Sequence, residues 1–519
     1  MNFTPEAVST LQSTVMVDLR RFTPELVLIG TILAVLLLRM VLKSNRFHLG
    51  TIALSGAMIA LLSWAGPALG LLWPAPERGP AFGALLVVDP FGSFLRGLLL
   101  AFLLLAVVLT RLTNRPDKED SADFYVLLFG AVLGLMVMTT SNHLLMVIVG
   151  IEMASLPGYV LAGFRKGQRR AAEGSLKYVL FGAAAAAIMV YGISLIASAY
   201  GSASLPTILT KLTAEANAGT ISPLASVGGL LLLVGLLFKL GAVPFHLWLP
   251  DVFEGAGAEV GAMLAVASKI AAAGLLMRLV HTVSVAAPQQ SFAVLAPTLA
   301  VAAMLTMTLG NLAAYRQTNL KRLLGYSTIA HAGYILAAIA CLGNEASSAI
   351  LVYLSGYLLM NLGAFAAVAI VEAANGTDTV AGIRGLWKQS PGLTIGFAVC
   401  IASLLGLPPF AGFVAKFQIF REVCRTATET GGTVYLVLFG VALLNAILSA
   451  GYYLSLIRTL FLDEPSEAEP AKPIAGGAVG FVLFLAVLLT MLGLAWGQLA
   501  EAAKAAGLHA QTTWGPISR

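Results

Sequence analysis

About fourteen stretches of this sequence run for roughly 20 residues with hardly a charge, which is the length an α-helix needs to cross the hydrocarbon core of a bilayer. They lie near 24–44, 49–73, 91–112, 122–140, 142–162, 174–200, 224–247, 256–282, 291–314, 325–342, 346–373, 391–421, 433–461 and 474–498. With 58% of its 519 residues apolar and 11% charged, the chain carries far more apolar surface than a soluble domain can bury. Lipid offers no hydrogen bonds to the backbone, so each run must satisfy its own polar groups as a helix. The expected fold class is therefore all-α, a polytopic membrane protein of about 14 transmembrane helices.

The first run starts near Glu25 and is followed by Arg39, Lys43 and Arg46, whereas a cleaved signal carries its positive charge ahead of a shorter core. It reads as a retained helix. Arg20 and Arg21 resemble a twin-arginine signal only superficially. Cys341, Cys400 and Cys424 stand apart in or near apolar runs, without the C-x-x-C spacing of a metal or iron–sulfur site and without a disulfide framework. The net charge of +6 is explained by topology rather than by nucleic acid. Connections from odd to even spans hold about sixteen Lys and Arg and the opposite connections about four. The segments FRKGQRR, with Arg165, Lys166, Arg169 and Arg170, and YRQTNLKR, with Arg316, Lys321 and Arg322, thus mark the cytoplasmic side of a bacterial inner membrane, and both termini are expected outside.

Gly182 and Ala186, four apart, have the spacing that lets membrane helices approach closely. Two spans contain internal prolines, Pro244 in FKLGAVPFHLWLP and Pro408 and Pro409 in LLGLPPFAGFVAKFQIF. A proline can merely kink a helix for packing, but one interrupted helix in each half is also the pattern of transporters built from inverted repeats, with the site at the break. The expected organisation is residues 1–121 for helices 1–3, 122–284 for a first repeat of helices 4–8, 285–465 for a second inverted repeat of helices 9–13, and 466–519 for helix 14 and the tail.

Four ionisable residues fall inside spans: Glu152 in LLMVIVGIEMASLPGYVL, Lys239 in GLLLLVGLLFKLGAVPF, Lys269 in AMLAVASKIAAAGLLM and Lys416 in PPFAGFVAKFQIF. Each costs at least about 2.5 kcal/mol at the bilayer centre, so each needs a partner, a wet cavity or a function. A single one is as readily a structural ion pair or a snorkelling lysine, whereas four on different helices, two beside interrupted segments, point to an ion path. A lysine relays protons at neutral pH only where its pKa falls by about 3 units, worth about 4 kcal/mol, and a neighbouring carboxylate reverses that fall. Making and breaking a Glu–Lys pair is then a switch, and Glu152 is the acid nearest in depth to Lys239.

Secondary candidates are His246, after the Pro244 break, and His331 in STIAHAGYIL, each able to relay a proton or to serve as a hydrogen-bonded structural histidine. Lys177 either forms a surface pair with Glu173 at i,i+4 or leads into the bundle. Asp251, Glu254 and Glu259 form an acidic mouth before span 8, of which Asp251 and Glu254 also read as a solvated loop. Arg278, Asp89 and Arg96 lie near span ends and read as anchors.

The stretches LLFKLGAVPFHLWLPDVFEGA, ASKIAAAGLLMR, GNLAAYRQTNLKRLLGYSTIAHAGYIL, YLLMNLGAFA and LLGLPPFAGFVAKF, spread between about residues 85 and 465, resemble the subunit N family of NADH-quinone oxidoreductases. The resemblance implies a fourteen-helix antiporter-like fold with two inverted repeats and a proton path running laterally through it. It also implies that Glu152 is the acid of span 5, Lys239 the central lysine of span 7, Lys269 the linking lysine of span 8 and Lys416 the lysine of the second broken helix. NADH, flavin, iron–sulfur clusters and quinone would belong to partner subunits, since no nucleotide loop, haem ligand pair or cysteine cluster is present in the sequence. The competing class is a subunit of a cation/proton antiporter or of a membrane-bound hydrogenase. Gly257 and Glu259 stand where the family pattern has prolines, and Glu259 adds a charge where span 8 begins.

Overall fold

The computed structural model describes residues 5–42, 49–67, 70, 78–117, 119–464 and 473–508. Lys43, Arg46, the expected boundary at 466 and the last residue of the chain lie outside the described residues. Helix α1 (Pro5–Arg21) turns at Phe22 into α2 (Thr23–Leu42), followed by α3 (Gly50–Ala65). An antiparallel hairpin, β1 (Gly79–Ala81) with β2 (Leu86–Val88), leads into α4 (Pro90–Thr113). Next come α5 (Ser121–Thr140), α6 (Leu144–Ala162), α7 (Arg169–Tyr200), the short α8 (Leu205–Asn217) and α9 (Pro223–Leu240). After α10 (Leu249–Gly255), α11 (Ala258–Ala262) continues through a π turn at Met263–Ala267 into α12 (Ser268–Ala286). A second π turn, Ser291–Leu295, joins α13 (Pro288–Gln290) to α14 (Ala296–Ala314), and α15 (Leu320–Ile339) and α16 (Asn344–Asn375) follow. The chain closes with α17 (Leu386–Gln389), α18 (Pro391–Leu405), α19 (Ala411–Thr430), α20 (Thr433–Phe461), α21 (Gly476–Leu494) and α22 (Trp496–Leu508).

Among the described residues, 11 helices or continuous helical rods are long and apolar enough to cross a membrane. The remaining expected runs fall on α3, on α15 and on the pair α18–α19, so all fourteen correspond to helices. Large apolar side chains such as Leu176, Leu180, Leu230, Leu444 and Ile447 point outward from α7, α9 and α20. The rod α11–α12 and helix α16 are enclosed on all sides. This is the burial order of a bundle in lipid, where the rim is as apolar as the core and the centre is where polar groups can be shielded.

The connections alternate between two faces. On one, Lys166 after α6 reaches Asp120 before α5 at 2.7 Å, and Arg165 reaches Glu372 near the end of α16 at 2.5 Å. On the other, backbone bridges Leu86–Ser141 and His143–Ser204 tie the hairpin to the α5–α6 and α7–α8 connections. Helix α22 folds back over the start of α16, where Ser348 Oγ donates to Ala503 O at 3.5 Å. Helices α1, α8 and α22 and the hairpin therefore share the face opposite the basic connections, an elaboration that no apolar run announces.

Two sequence readings change here. Gly182 receives the ring of Tyr159 from α6 rather than a neighbouring backbone. Backbones approach closely at other glycines: between α7 and α9 a Cβ on Gly192 or Gly228 would sit 2.6–2.7 Å from the other's carbonyl oxygen, and Gly134 on α5 and Gly310 on α14 lie as close to the backbones of α6 and α15. Nor are Asp89, Arg96 and Arg278 interface anchors. Arg278 on α12 makes a two-pronged ion pair with Asp89, Nη1–Oδ2 at 2.5 Å and Nη2–Oδ1 at 3.0 Å, with both side chains at 0% exposure. Arg96 is buried against Glu25 at 2.5 Å. Proximity to a span end suggests water, but the hairpin and the end of α1 close over Arg96 and Glu25, and Phe91 and the end of α5 lie against Arg278.

Candidate functional site

The site is built around two interrupted helices. Helix α9 stops at Gly241, whose φ of 69° is left-handed, and Pro244 cannot donate a hydrogen bond to resume it. Helix α18 stops in the same way at Gly406, φ 93°, ahead of Pro408 and Pro409. Each interruption strands backbone groups at membrane depth, and each is repaired by side chains from elsewhere. The Val243 N–H donates to Thr306 Oγ1 of α14 at 3.0 Å, and the Gly412 N–H to Ser403 Oγ at 3.0 Å.

The freed carbonyls are taken by lysines. Lys269 Nζ donates to Leu240 O, the last residue of α9, at 2.7 Å, and Lys416 Nζ donates to Leu405 O, the last residue of α18, at 2.9 Å. A cation at a helix C-terminus is favoured by the partial negative charge of its unpaired carbonyls, and inside lipid that charge is little screened. Both lysines are buried, Lys269 at 0% exposure. Each ammonium is held by a backbone carbonyl, and the Lys416 head also lies 5.1 Å from the Tyr334 ring centroid.

Lys239 lies in the last turn of α9, just before the break. Its Nζ donates a short hydrogen bond to Ser155 Oγ on α6, and Glu152, one turn earlier on the same helix, is the charge that acts on it. Glu152 and Lys239 are neighbours as expected, but the hydroxyl rather than the carboxylate takes the ammonium. Glu152 Oε1 is buried with no hydrogen-bond partner. A cavity of about 10 Å³ lies against Lys239, lined by Ile151, Ala154, Tyr178, Met263, Leu264 and Ser268. That is room for one water between Lys239 and the residue preceding Lys269.

His331 on α15 stands between the two breaks, within electrostatic reach of both Lys269 and Lys416. Its ring nitrogens meet Tyr353 Oη at 2.5 Å and Tyr453 Oη at 3.3 Å, and Tyr453 in turn meets Ser327 Oγ at 2.5 Å. Around it the buried hydroxyls of Thr328 and Tyr357 lie against each other and that of Tyr334 lies against Asn311. The line Glu152, Lys239, Lys269, His331, Lys416 is thus brought into one buried polar seam.

His246 and Lys177 stand elsewhere. His246, after the break, has a buried Nδ1 without a partner. Lys177 is a third exposed and pairs with Asp251 at 2.6 Å and Glu173 at 2.8 Å, so the i,i+4 surface pair is made and Asp251 of α10 joins it. Asp251 and Glu254 are not a solvated loop but part of α10, joined to Arg322 at 2.6 and 2.8 Å, with Glu254 also 3.1 Å from Arg170. Burial alone would push Asp251 up, yet hydrogen bonds from Lys177 and Arg322 outweigh it and hold the carboxyl below the usual carboxylate range. Sequence reasoning missed Ser155, Thr306, Ser403, Tyr353 and Tyr453. A hydroxyl within a span commonly bonds its own helix, as Ser155 does to Ile151 O and Thr306 to Ala302 O, so nothing local marks the second bond that each accepts from another segment; the adjacent Tyr452–Tyr453 pair in mid-span was the one available signal.

Comparison with known proteins places this arrangement. The family described as NADH:quinone oxidoreductase/Mrp antiporter, TM, matches residues 141–462. NADH-quinone oxidoreductase subunit N from Anaeromyxobacter sp. (strain Fw109-5) is 36% identical over 491 residues, covering 92% of this chain and 94% of that one. Subunit N from Rubrobacter xylanophilus is 36% identical over 492 residues, covering 93% and 97%. A chain of respiratory complex I from Thermus thermophilus superposes with a TM-score of 0.75 at 34% identity, over 93% of this chain and 100% of that chain. A chain of the Mrp complex from Dietzia sp. DQ12-45-1b reaches 0.78 at 20% identity, over 96% and 98%, a likeness of fold.

Proposed function

Since this chain belongs to the NADH:quinone oxidoreductase/Mrp antiporter family, and within it to the subunit N family, we propose that it carries protons in the membrane arm of an NADH-quinone oxidoreductase. Electron transfer from NADH to quinone takes place in other subunits and drives that transport. The observation that carries the reading is the pair of matched breaks, each with a buried lysine on its last carbonyl and with His331 between them. Glu152, Lys239, Lys269 and Lys416 are the principal stations, His331 the link between the two halves, and His246 and Lys177 secondary stations. Each station holds a proton on a nitrogen or carboxylate oxygen and releases it to a neighbour or to a bridging water.

The same breaks support a division into two repeats, 122–284 and 285–465, between helices 1–3 in 1–121 and the closing segment 466–519. Helices α5 and α6 pack along each other as α14 and α15 do, and a five-span offset starts the second repeat from the opposite face, which inverts it. Flavin, iron–sulfur clusters and quinone belong to partner subunits; the isolated positions of Cys341, Cys400 and Cys424 support this. Extraction in mild detergent is expected to bring down subunits carrying flavin and iron–sulfur clusters with this chain, while the chain purified alone has no cofactor spectrum. A stoichiometric cofactor on the isolated chain, or an assembly without redox subunits, overturns the reading.

The basic face is the cytoplasmic face of a bacterial inner membrane, so α1 and α22 lie outside. Gly167→Cys, in the α6–α7 connection, is expected to resist a membrane-impermeant thiol reagent in sealed cells of a strain lacking Cys424, and Ala218→Cys, after α8, to react. The reverse pattern sinks the orientation.

A further inference from the structure

Of the three acids at the mouth of span 8, Asp251 and Glu254 are neutralised by Lys177, Arg322 and Arg170, whereas Glu259 is not so engaged. Glu259 is 7% exposed, and its Oε1 accepts a hydrogen bond from the uncharged Thr113 Oγ1 at 2.7 Å. Its Oε2 faces Gly257, where an added Cβ would lie 3.1 Å from that oxygen and 3.5 Å from Arg165 Nε. The missing side chain at 257 therefore leaves room for the carboxylate at 259.

Glu259 lines a cleft of about 370 Å³ on the basic face, between the α4–α5 and α6–α7 connections and the end of α16. Deeper in the same cleft, Glu372 is 7% exposed and its Oε2 is buried with no hydrogen-bond partner, while Oε1 holds Arg165. The cleft and the water-sized cavity at Lys239 share α5, α6 and the α11–α12 rod among their walls. Val260 lines the cleft and Met263 and Leu264 the cavity, at i+3 and i+4 on one rod. Phe124 and Ala131 on α5, and Leu161 and Ala154 on α6, repeat the correspondence two helical turns apart. About 10 Å of packed seam separates the two spaces, and the π turn at Met263–Ala267 begins where the seam reaches the cavity.

We infer that Glu259 is the proton-collecting carboxylate of an inlet that runs from the basic face along the α5, α6 and α11–α12 seam to Lys239. The inference rests on the proton-transport reading above. A proton from water in the cleft binds Glu259 Oε2 and is then released to a water in the seam, which restores the carboxylate, so no charge or atom is retained. The other charges facing Glu259 set its surroundings: Arg115 and Asp117 from the α4–α5 connection, Arg165 and Lys166 from the α6–α7 connection, and Glu372 from α16. Asp120 is occupied by Lys166, and Lys321 and Asp378 pair behind Glu372 at 3.0 Å.

The test is proton uptake and quinone reduction by the assembled complex in vesicles across a pH series. Glu259→Gln keeps an acceptor for Thr113 but cannot carry the proton, and is expected to lose about threefold or more in rate near pH 8, where free protons are scarce, and little near pH 6. Gly257→Ala, which crowds Oε2 without removing it, is expected to show the same pH-dependent loss, and Glu259→Asp to recover part of it. A uniform loss at every pH, or wild-type rates in both Glu259→Gln and Gly257→Ala, overturns the inlet. Lys239→Ala in parallel separates the two readings. If it stops transport while Glu259→Gln does not, the inlet alone fails; if Lys239→Ala transports normally, the wider reading fails as well.

Discussion

An assembled complex carrying Lys239→Ala is expected to pump protons and reduce quinone at least about tenfold more slowly than wild type, the two rates falling together. In the proposed path Lys239 is the station at which the first half of the seam begins. Its ammonium donates to the Ser155 hydroxyl, Glu152 lies one turn away with an unpartnered oxygen, and a one-water cavity opens toward Ser268 and so toward Lys269. Moving one proton against a potential of about 150 mV takes roughly 3.5 kcal/mol, so the station must exchange its proton rather than hold a permanent charge. Lys239→Arg tests this directly, because a guanidinium keeps the charge and does not deprotonate in proteins, and it is expected to fail as alanine does. Glu152→Gln leaves the lysine in place and is expected to be milder, about two- to fivefold. Normal pumping in an assembled Lys239→Ala complex removes Lys239 from the path.

The second large effect concerns structure rather than transport. Arg278→Ala leaves Asp89 ionised at 0% exposure with its two-pronged partner gone, and breaking such a pair costs about 3–5 kcal/mol. Asp89 also caps α4, accepting from Gly92 N at 2.6 Å, and Arg278 Nη2 reaches Thr139 O at the end of α5, so the pair ties three helices together. The expected result is a chain that falls sharply in abundance in the membrane and unfolds at a lower temperature in detergent. Combining Arg278→Met with Asp89→Asn removes both charges but keeps an acceptor for the cap, and is expected to restore most of the stability with pumping per assembled complex unchanged. Wild-type stability in Arg278→Ala shows that the pair does not hold these helices.

Much of this protein is written locally in its sequence. Lipid demands a fixed length of apolar residues and punishes an unpaired backbone group, so the fourteen runs, their alternation between faces and the two interruptions at Gly241–Pro244 and Gly406–Pro409 can be read from neighbouring residues alone. Desolvation makes a mid-span charge conspicuous, which is why Glu152, Lys239, Lys269 and Lys416 stand out against the apolar residues on either side of them. Which atom each of those charges meets depends instead on the rotation of one helix against another that lies far away in the chain. Depth alone matches Lys239 to Glu152, yet packing sets Ser155 against its nitrogen. Lys269 and Lys416 share a role because two distant helix ends present a bare carbonyl to each. Arg278 has the sequence position of an anchor, but it is buried with a partner 189 residues away. Glu259 gains its meaning only where the fold opens a cleft beside it and leaves the space of a missing side chain at Gly257. Span length is a property of consecutive residues and is fixed by the solvent; partnership is a property of residues brought together, and only the packed bundle decides it.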